Sequence, residues 1–273
     1  MRKITAALCA VSLVLFGCSR NNVVEDDSIK QYFDEHKVTG CFGQFNNTRG
    51  EFTVYNLSRF ADSAYLPAST FKIVNSLIGL ETGIIANDSA VIPWNGVPWF
   101  REACNQNLPM YMAFRESCVP WYQELARRIG RDTMQFWLDS LGYGSRHGRA
   151  EISKIDTFWL DNAVKITADE QLGLAKKLYF NQLPFKRWVQ GRVKSMMTVE
   201  TRNEYILAYK TGTGRAPNGH LIGWVVGWIE ENKHPYPFVL QLESTDPGID
   251  MRPTALAVLD KILKHYGFKE GKK

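Results

Sequence analysis

A membrane-crossing helix needs about 18 to 20 consecutive apolar residues, and no uncharged apolar run of that length occurs in the chain. No run of Lys and Arg exceeds two residues, and the net charge is only +5. That excess is too mild for a nucleic-acid footprint. Internal repeats and low-complexity tracts are lacking, which excludes solenoids and disordered arrays. No C-x-x-C or H-E-x-x-H spacing occurs, and the five histidines are scattered, so zinc chemistry has little support. What remains is an ordinary globular mix, 45% apolar and 22% charged over 273 residues, enough for a sizeable core.

The N-terminus reads as a targeting segment. Arg2-Lys3 is a positive n-region and Ile4 to Phe16 a short apolar h-region, the pattern of a secretory signal peptide. Leu15-Phe16-Gly17-Cys18 resembles a bacterial lipobox, which makes Cys18 a candidate lipid site. Ordinary cleavage and release is the alternative. Removing residues 1–17 takes Arg2 and Lys3 from the total of +5 and leaves +3. The expected location is the periplasm, with membrane contact only through a lipid on Cys18. An oxidising compartment permits one disulfide among Cys41, Cys104 and Cys118, with the pairing open.

Two strands, Thr39 to Asn46 and Glu51 to Asn56, flank the turn Asn47-Thr48-Arg49-Gly50. Helices are expected over 70–81, 121–129 and 133–141, and over 167–179 with Thr167 as N-cap. Residues 87–116, with three prolines, read as irregular. Four antiparallel strands follow, over 198–201, 204–211, 220–230 and 238–244, with turns at Asn203, Pro217-Asn218-Gly219 and His234-Pro235. A helix over 253–266 closes the chain. The predicted class is α/β, of the α+β type: one antiparallel sheet built from both termini, flanking helices, and a mostly helical insert over about 85–190. Residues 18–273 are expected to form a single catalytic domain.

Three short motifs carry chemistry. In Ser69-Thr70-Phe71-Lys72, one helical turn puts Ser69 and Lys72 on the same face, close enough to exchange a proton. Alone this is weak, since about one S-x-x-K is expected by chance in a chain of this length. Lys210-Thr211-Gly212 is rarer and places a fixed cation beside hydroxyl and backbone donors. Ser117-Cys118-Val119 precedes a helix, where a capping serine is the simpler reading. Their order along the chain raises all three, because S-x-x-K, a second Ser motif and K-T-G form a known set in serine β-lactamases and penicillin-binding proteins.

On these residues the chain resembles the class D serine β-lactamases, of the penicillin-binding transpeptidase-like fold. Ser69-Thr70-Phe71-Lys72 is similar to that family's S-T-F-K, Ser117-Cys118-Val119 to its S-x-V, and Lys210-Thr211-Gly212-Thr213 to its K-T-G-x. Phe158-Trp159-Leu160 resembles its F-W-L element, and Arg252 lies where the family has a carboxylate-binding Arg. Tyr143-Gly144-Ser145 departs from the usual Y-G-N at Ser145. The resemblance runs from about Gly40 to the final helix.

The resemblance implies hydrolysis of the β-lactam amide, with Ser69 as acylating nucleophile. No metal is implied. Lys72 would be carboxylated by carbon dioxide and act as general base in both half-reactions, in an apolar pocket of Phe71, Val119, Trp159 and Leu160. The Trp159 N–H would bond the carbamate. Ser117 and Lys210 would carry a proton to the lactam nitrogen. The backbone N–H groups of Ser69 and Thr213 would hold the oxyanion, and Arg252 and Thr211 the substrate carboxylate. A penicillin sensor that is acylated once, a cell-wall peptidase and a non-enzymatic lipoprotein are the rival readings. Trp94, Trp99, Phe100 and Tyr111 either line the cleft or pack in exposed loops.

Overall fold

The computed structural model describes residues 22–271. The signal segment 1–17, Cys9 and Cys18 lie outside the described residues.

One seven-stranded sheet organises the molecule. Its spatial order is Val23–Glu25, Glu51–Tyr55, Thr39–Asn46, His234–Ser244, Leu221–Glu231, Tyr205–Arg215 and Thr198–Thr201. The N-terminal hairpin thus pairs directly with the last strand, as expected for a sheet closed by both termini. All pairings are antiparallel except the first, where Val23–Glu25 runs parallel to Glu51–Tyr55.

Side chains alternate between the two faces of the sheet. Along Leu221–Glu231, Trp224, Val226 and Trp228 enter a large core shared with the central helices. Val225 and Ile229 enter a second core beneath the Met251–His265 helix. The helices Lys30–Glu35 and Met251–His265 therefore cover one face. Ala168–Tyr179 packs on the other, and the helices Lys72–Glu81, Val119–Ile129, Arg131–Leu141 and Arg187–Met197 extend that layer. Ala168–Tyr179 starts as the sequence suggests: Thr167 caps it, and Glu170 closes a reciprocal capping box.

Several boundaries differ from the sequence reading. The mostly helical stretch runs over 57–197, wider than 85–190, and contains two two-stranded ladders. The sequence reading assigns no helix over 187–197, yet Arg187–Met197 forms one, and Gly191 within it sits in open space on the helix surface. The irregular segment 87–116 holds the helix Met110–Arg115 and the short pair Val91–Ile92 with Leu108–Pro109. His234-Pro235 is strand, not turn. The turn falls on Asn232 and Lys233, both with positive φ, as a two-residue hairpin of this hand requires. Pro235 and Pro237 are tolerated because the neighbouring Thr39–Asn46 strand pairs only from Phe238 onward.

The Lys210-Thr211-Gly212 motif lies inside the Tyr205–Arg215 strand instead of at its end. Glycine at 212 serves close approach here. A Cβ on Gly212 would lie 2.9 Å from the Pro67 carbonyl oxygen and 3.1 Å from the Thr70 nitrogen. Gly214 likewise faces Leu66. Both let the strand lie directly against the turn that carries Ser69. The short Thr198–Thr201 strand pairs only with Ile206 to Ala208. The strand edge beyond Tyr209, where Thr211 and Thr213 lie, is left uncovered by that partner.

Candidate active site

Ser69 sits in a 3₁₀ turn, Ala68–Phe71, that leads into the Lys72–Glu81 helix. Three residues per turn place positions i and i+3 directly above one another. Lys72 Nζ accordingly lies 2.8 Å from Ser69 Oγ. The turn is held from three sides. Ala68 N–H donates to the Trp159 carbonyl at 3.0 Å, the Trp224 indole donates to the Leu66 carbonyl at 3.0 Å, and Thr70 Oγ1 donates to Pro67 at 2.7 Å. Ala68 has φ of 48°, an unfavourable conformation for a residue with a Cβ, so the surroundings impose it.

Lys72 is fully buried, and no carboxylate among the described residues pairs with it. Burial, followed by the nearby Arg101 charge, lowers its amine to about 7. Its surroundings are aromatic. Tyr122 faces Nζ with its ring centroid at 5.4 Å, and Phe71 stacks on Trp159 at 5.4 Å. Trp159 is itself fully buried, and its indole N–H has no hydrogen-bond partner among the described residues. A buried donor without an acceptor costs about 1–3 kcal/mol.

Ser117 approaches from the helical side, in the left-handed region with φ of 56°. It does not cap the Val119–Ile129 helix; Cys118 occupies that position. The Ser117 hydroxyl instead accepts from Lys210 Nζ at 3.0 Å, and Lys210 also donates to the Thr211 carbonyl at 2.9 Å. Lys210 is buried, and burial together with Lys72, Arg252 and Arg101 holds its amine well below the ordinary lysine range.

The two halves enclose a cavity of about 280 Å³. Ser69, Ser117, Thr211, Thr213 and Arg252 line its polar side. Trp99, Phe100 and Arg101 face them from the 87–109 segment, joined by Val119 and Leu160. Arg252 enters from the first turn of the last helix, where Asp250 caps its backbone N–H at 3.2 Å. The structure thus gathers the nucleophile, both lysines, the second serine and the carboxylate-binding candidates around one cleft, with Gly212 behind them and Phe71 and Trp159 beneath. Trp94 lies in a separate depression, and Tyr111 is absent from this lining. Arg101 was missed in the sequence, since nothing in its neighbourhood resembles a motif. Ser145 lies outside the cleft lining, and its backbone N–H closes a turn onto the Gly142 carbonyl at 3.2 Å.

Cys118, next to Ser117, is bonded to Cys104. This settles the open pairing: Cys41 is free and buried, and desolvation pushes its thiol up to about 12. Among the described residues no group of three or more His, Cys, Asp or Glu side chains could hold a metal ion.

A sequence model of the penicillin-binding protein transpeptidase domain matches residues 29–264. β-Lactamase OXA-48 of Klebsiella pneumoniae is 36% identical over 244 residues, covering 88% of each chain. The chain belongs to the class D serine β-lactamases. The crystal structure of the class D β-lactamase FUS-1 (OXA-85) from Fusobacterium nucleatum subsp. polymorphum superposes with a TM-score of 0.83 at 33% identity, covering 92% of this chain and 100% of that one. The regulatory protein BlaR1 of Bacillus licheniformis is also similar, 32% identical over 87% of this chain but only 39% of its own length. Members of the class D serine β-lactamases are hydrolases, and the mixed α/β fold with its mostly antiparallel sheet is theirs.

Proposed function

We propose that this protein hydrolyses the amide bond of penicillins and related β-lactams through an acyl-enzyme on Ser69, and so confers resistance to them. The observation that carries the reading is Lys72 Nζ, buried, paired with no carboxylate among the described residues, and 2.8 Å from Ser69 Oγ. A serine hydroxyl needs a base to attack an amide at neutral pH. A lysine whose charged form is destabilised by burial is able to be neutral there.

The residues present fit a carbamate on Lys72. Its amine is accessible in the neutral form, and the Trp159 indole N–H is a buried donor with no acceptor among the described residues. A carbamate would form as the neutral amine adds carbon dioxide and releases one proton, supplying an anionic base. Phe71, Val119 and Leu160 keep the pocket apolar. Ser69 then attacks the lactam carbonyl while its proton is removed. The backbone N–H groups of Ser69 and Thr213 hold the oxyanion. As the C–N bond breaks, Ser117 delivers a proton to the nitrogen, its hydroxyl aligned by Lys210. Arg252 and Thr211 bind the substrate carboxylate, Arg252 through its fork of donors. Water then hydrolyses the ester and frees Ser69. We also propose that residues 1–17 export the protein to the periplasm, with Cys18 carrying a lipid; palmitate labelling of Cys18 and its loss in Cys18→Ala test that.

The deciding experiment is a stopped-flow assay of residues 19–273 with a chromogenic cephalosporin and added bicarbonate, with Ser69→Ala as control. Many turnovers per Ser69, abolished in the variant, are expected. One stoichiometric burst leaving a stable adduct would mean a sensor, the alternative that the similarity to BlaR1 raises. No reaction would overturn both.

A further inference from the structure

Two guanidinium groups open into the active-site cavity, and the proposed chemistry uses only one. Arg252 has the carboxylate common to all these substrates. Arg101 has no comparable role there. It makes no ion pair or side-chain hydrogen bond among the described residues, and no Asp or Glu lines the cavity. An unpaired cation in a partly enclosed cleft, set among aromatic side chains on one wall and facing hydroxyl donors on the other, is an anion site in waiting.

The backbone that carries Arg101 is held in place. Its carbonyl accepts from Cys104 N–H at 2.9 Å, and Cys104 is tied by the disulfide to Cys118, the neighbour of Ser117. Asn105 clamps the same loop from both sides of Trp99, accepting from its N–H at 2.7 Å and donating to its carbonyl at 3.0 Å. The Phe100 ring lies beneath the guanidinium with its centroid at 6.0 Å. A fixed loop lowers the entropy cost of ligand contact.

We propose that Arg101 is a specificity-determining residue that selects β-lactams bearing a second carboxylate on the acyl side chain, binding that carboxylate while Arg252 binds the one on the ring. This rests on the hydrolytic reading above. Arg101 also touches the chemistry through its field on Lys72, so the test must separate recognition from that effect.

The test compares benzylpenicillin with its α-carboxy analogue, which differ by one carboxylate at the position in question. In Arg101→Gln, the ratio of kcat/KM for the dianion to that for the monoanion falls about tenfold, chiefly through KM, and Arg101→Lys recovers part of it. Rising ionic strength lowers the ratio in the native protein and has less effect in the variant. A change in the field on Lys72 moves both substrates' pH profiles together and leaves the ratio alone. A ratio within twofold of the native value, with both penicillins still turned over, overturns the proposal and leaves the hydrolytic reading standing. If the native protein turns over neither penicillin, the hydrolytic reading itself fails.

Discussion

Lys210 Nζ lies 3.0 Å from the Ser117 hydroxyl, although 93 residues separate them. The contact joins a sheet strand to the start of a helix in the helical layer, and so fixes the width of the cleft. Ser117 is partly exposed and Lys210 buried, so the serine mediates between a sequestered cation and the substrate.

Replacing Ser117 with alanine removes the proposed proton path to the lactam nitrogen while the Thr211 carbonyl still holds Lys210. Proton transfer by a positioned group contributes about 10²- to 10⁴-fold. Ser117→Ala should lower kcat by at least about a hundredfold, with acylation slowed in single-turnover traces and the melting temperature little changed. Acylation at the native rate would remove Ser117 from the path.

The pH dependence follows from Lys72. Burial brings its amine to about 7. Protonated below that value, it neither accepts a proton nor adds carbon dioxide. The kcat/KM for a non-titrating substrate should therefore rise with pH through a limb near 7, and bicarbonate should raise activity most on that acid side. A limb near the ordinary lysine value, or none between pH 5 and 9, would show that another group sets the rate.

The sequence carried the site further than it carried the fold's edges. Ser69 and Lys72 are three residues apart, so any tight helical turn brings them together, and local periodicity sufficed. Ser117 and Lys210 meet only through tertiary packing, so their pairing was legible through motif order alone. Gly212 read as a strand end because glycine usually signals a turn, whereas here it permits backbone contact with Pro67. Arg101 left no trace, since a functional loop arginine and a solvated one look alike without a cavity. The same holds for the cysteines: proximity of Cys104 and Cys118 depends on how the 87–109 segment folds back.

The Cys104–Cys118 bridge closes a loop of sequence separation 14. In the chain-entropy view, a loop of that size contributes about 3 kcal/mol. Cys104→Ser should lower stability by roughly that amount in urea titrations. It should also raise KM for β-lactams, because Trp99, Phe100 and Arg101 lose their tether. In residues 19–273, thiol titration should find one cysteine in denaturant and none in the native state, since Cys41 is buried. Three titrating thiols in denaturant would disprove the bridge.

The same burial that tunes Lys72 makes it a burden on the fold. Its lowered value means that, between about 7 and 10.5, the unfolded chain binds a proton that the folded protein does not. Stability therefore falls as pH drops through that window, and the full cost, roughly 3–5 kcal/mol at most, is present at pH 7 and below. Lys72→Met keeps the volume, removes the charge and abolishes the base. It should be inactive yet more stable at pH 7, by about 1–3 kcal/mol after packing losses, with a smaller gain at pH 10. Urea melts in carbon-dioxide-free buffer at the two pH values measure this. Adding bicarbonate should narrow the gap by stabilising only the native protein, because a group bound solely to the folded state adds to its stability. A variant less stable than the native protein at pH 7 without carbon dioxide would show that Lys72 is not held at a cost.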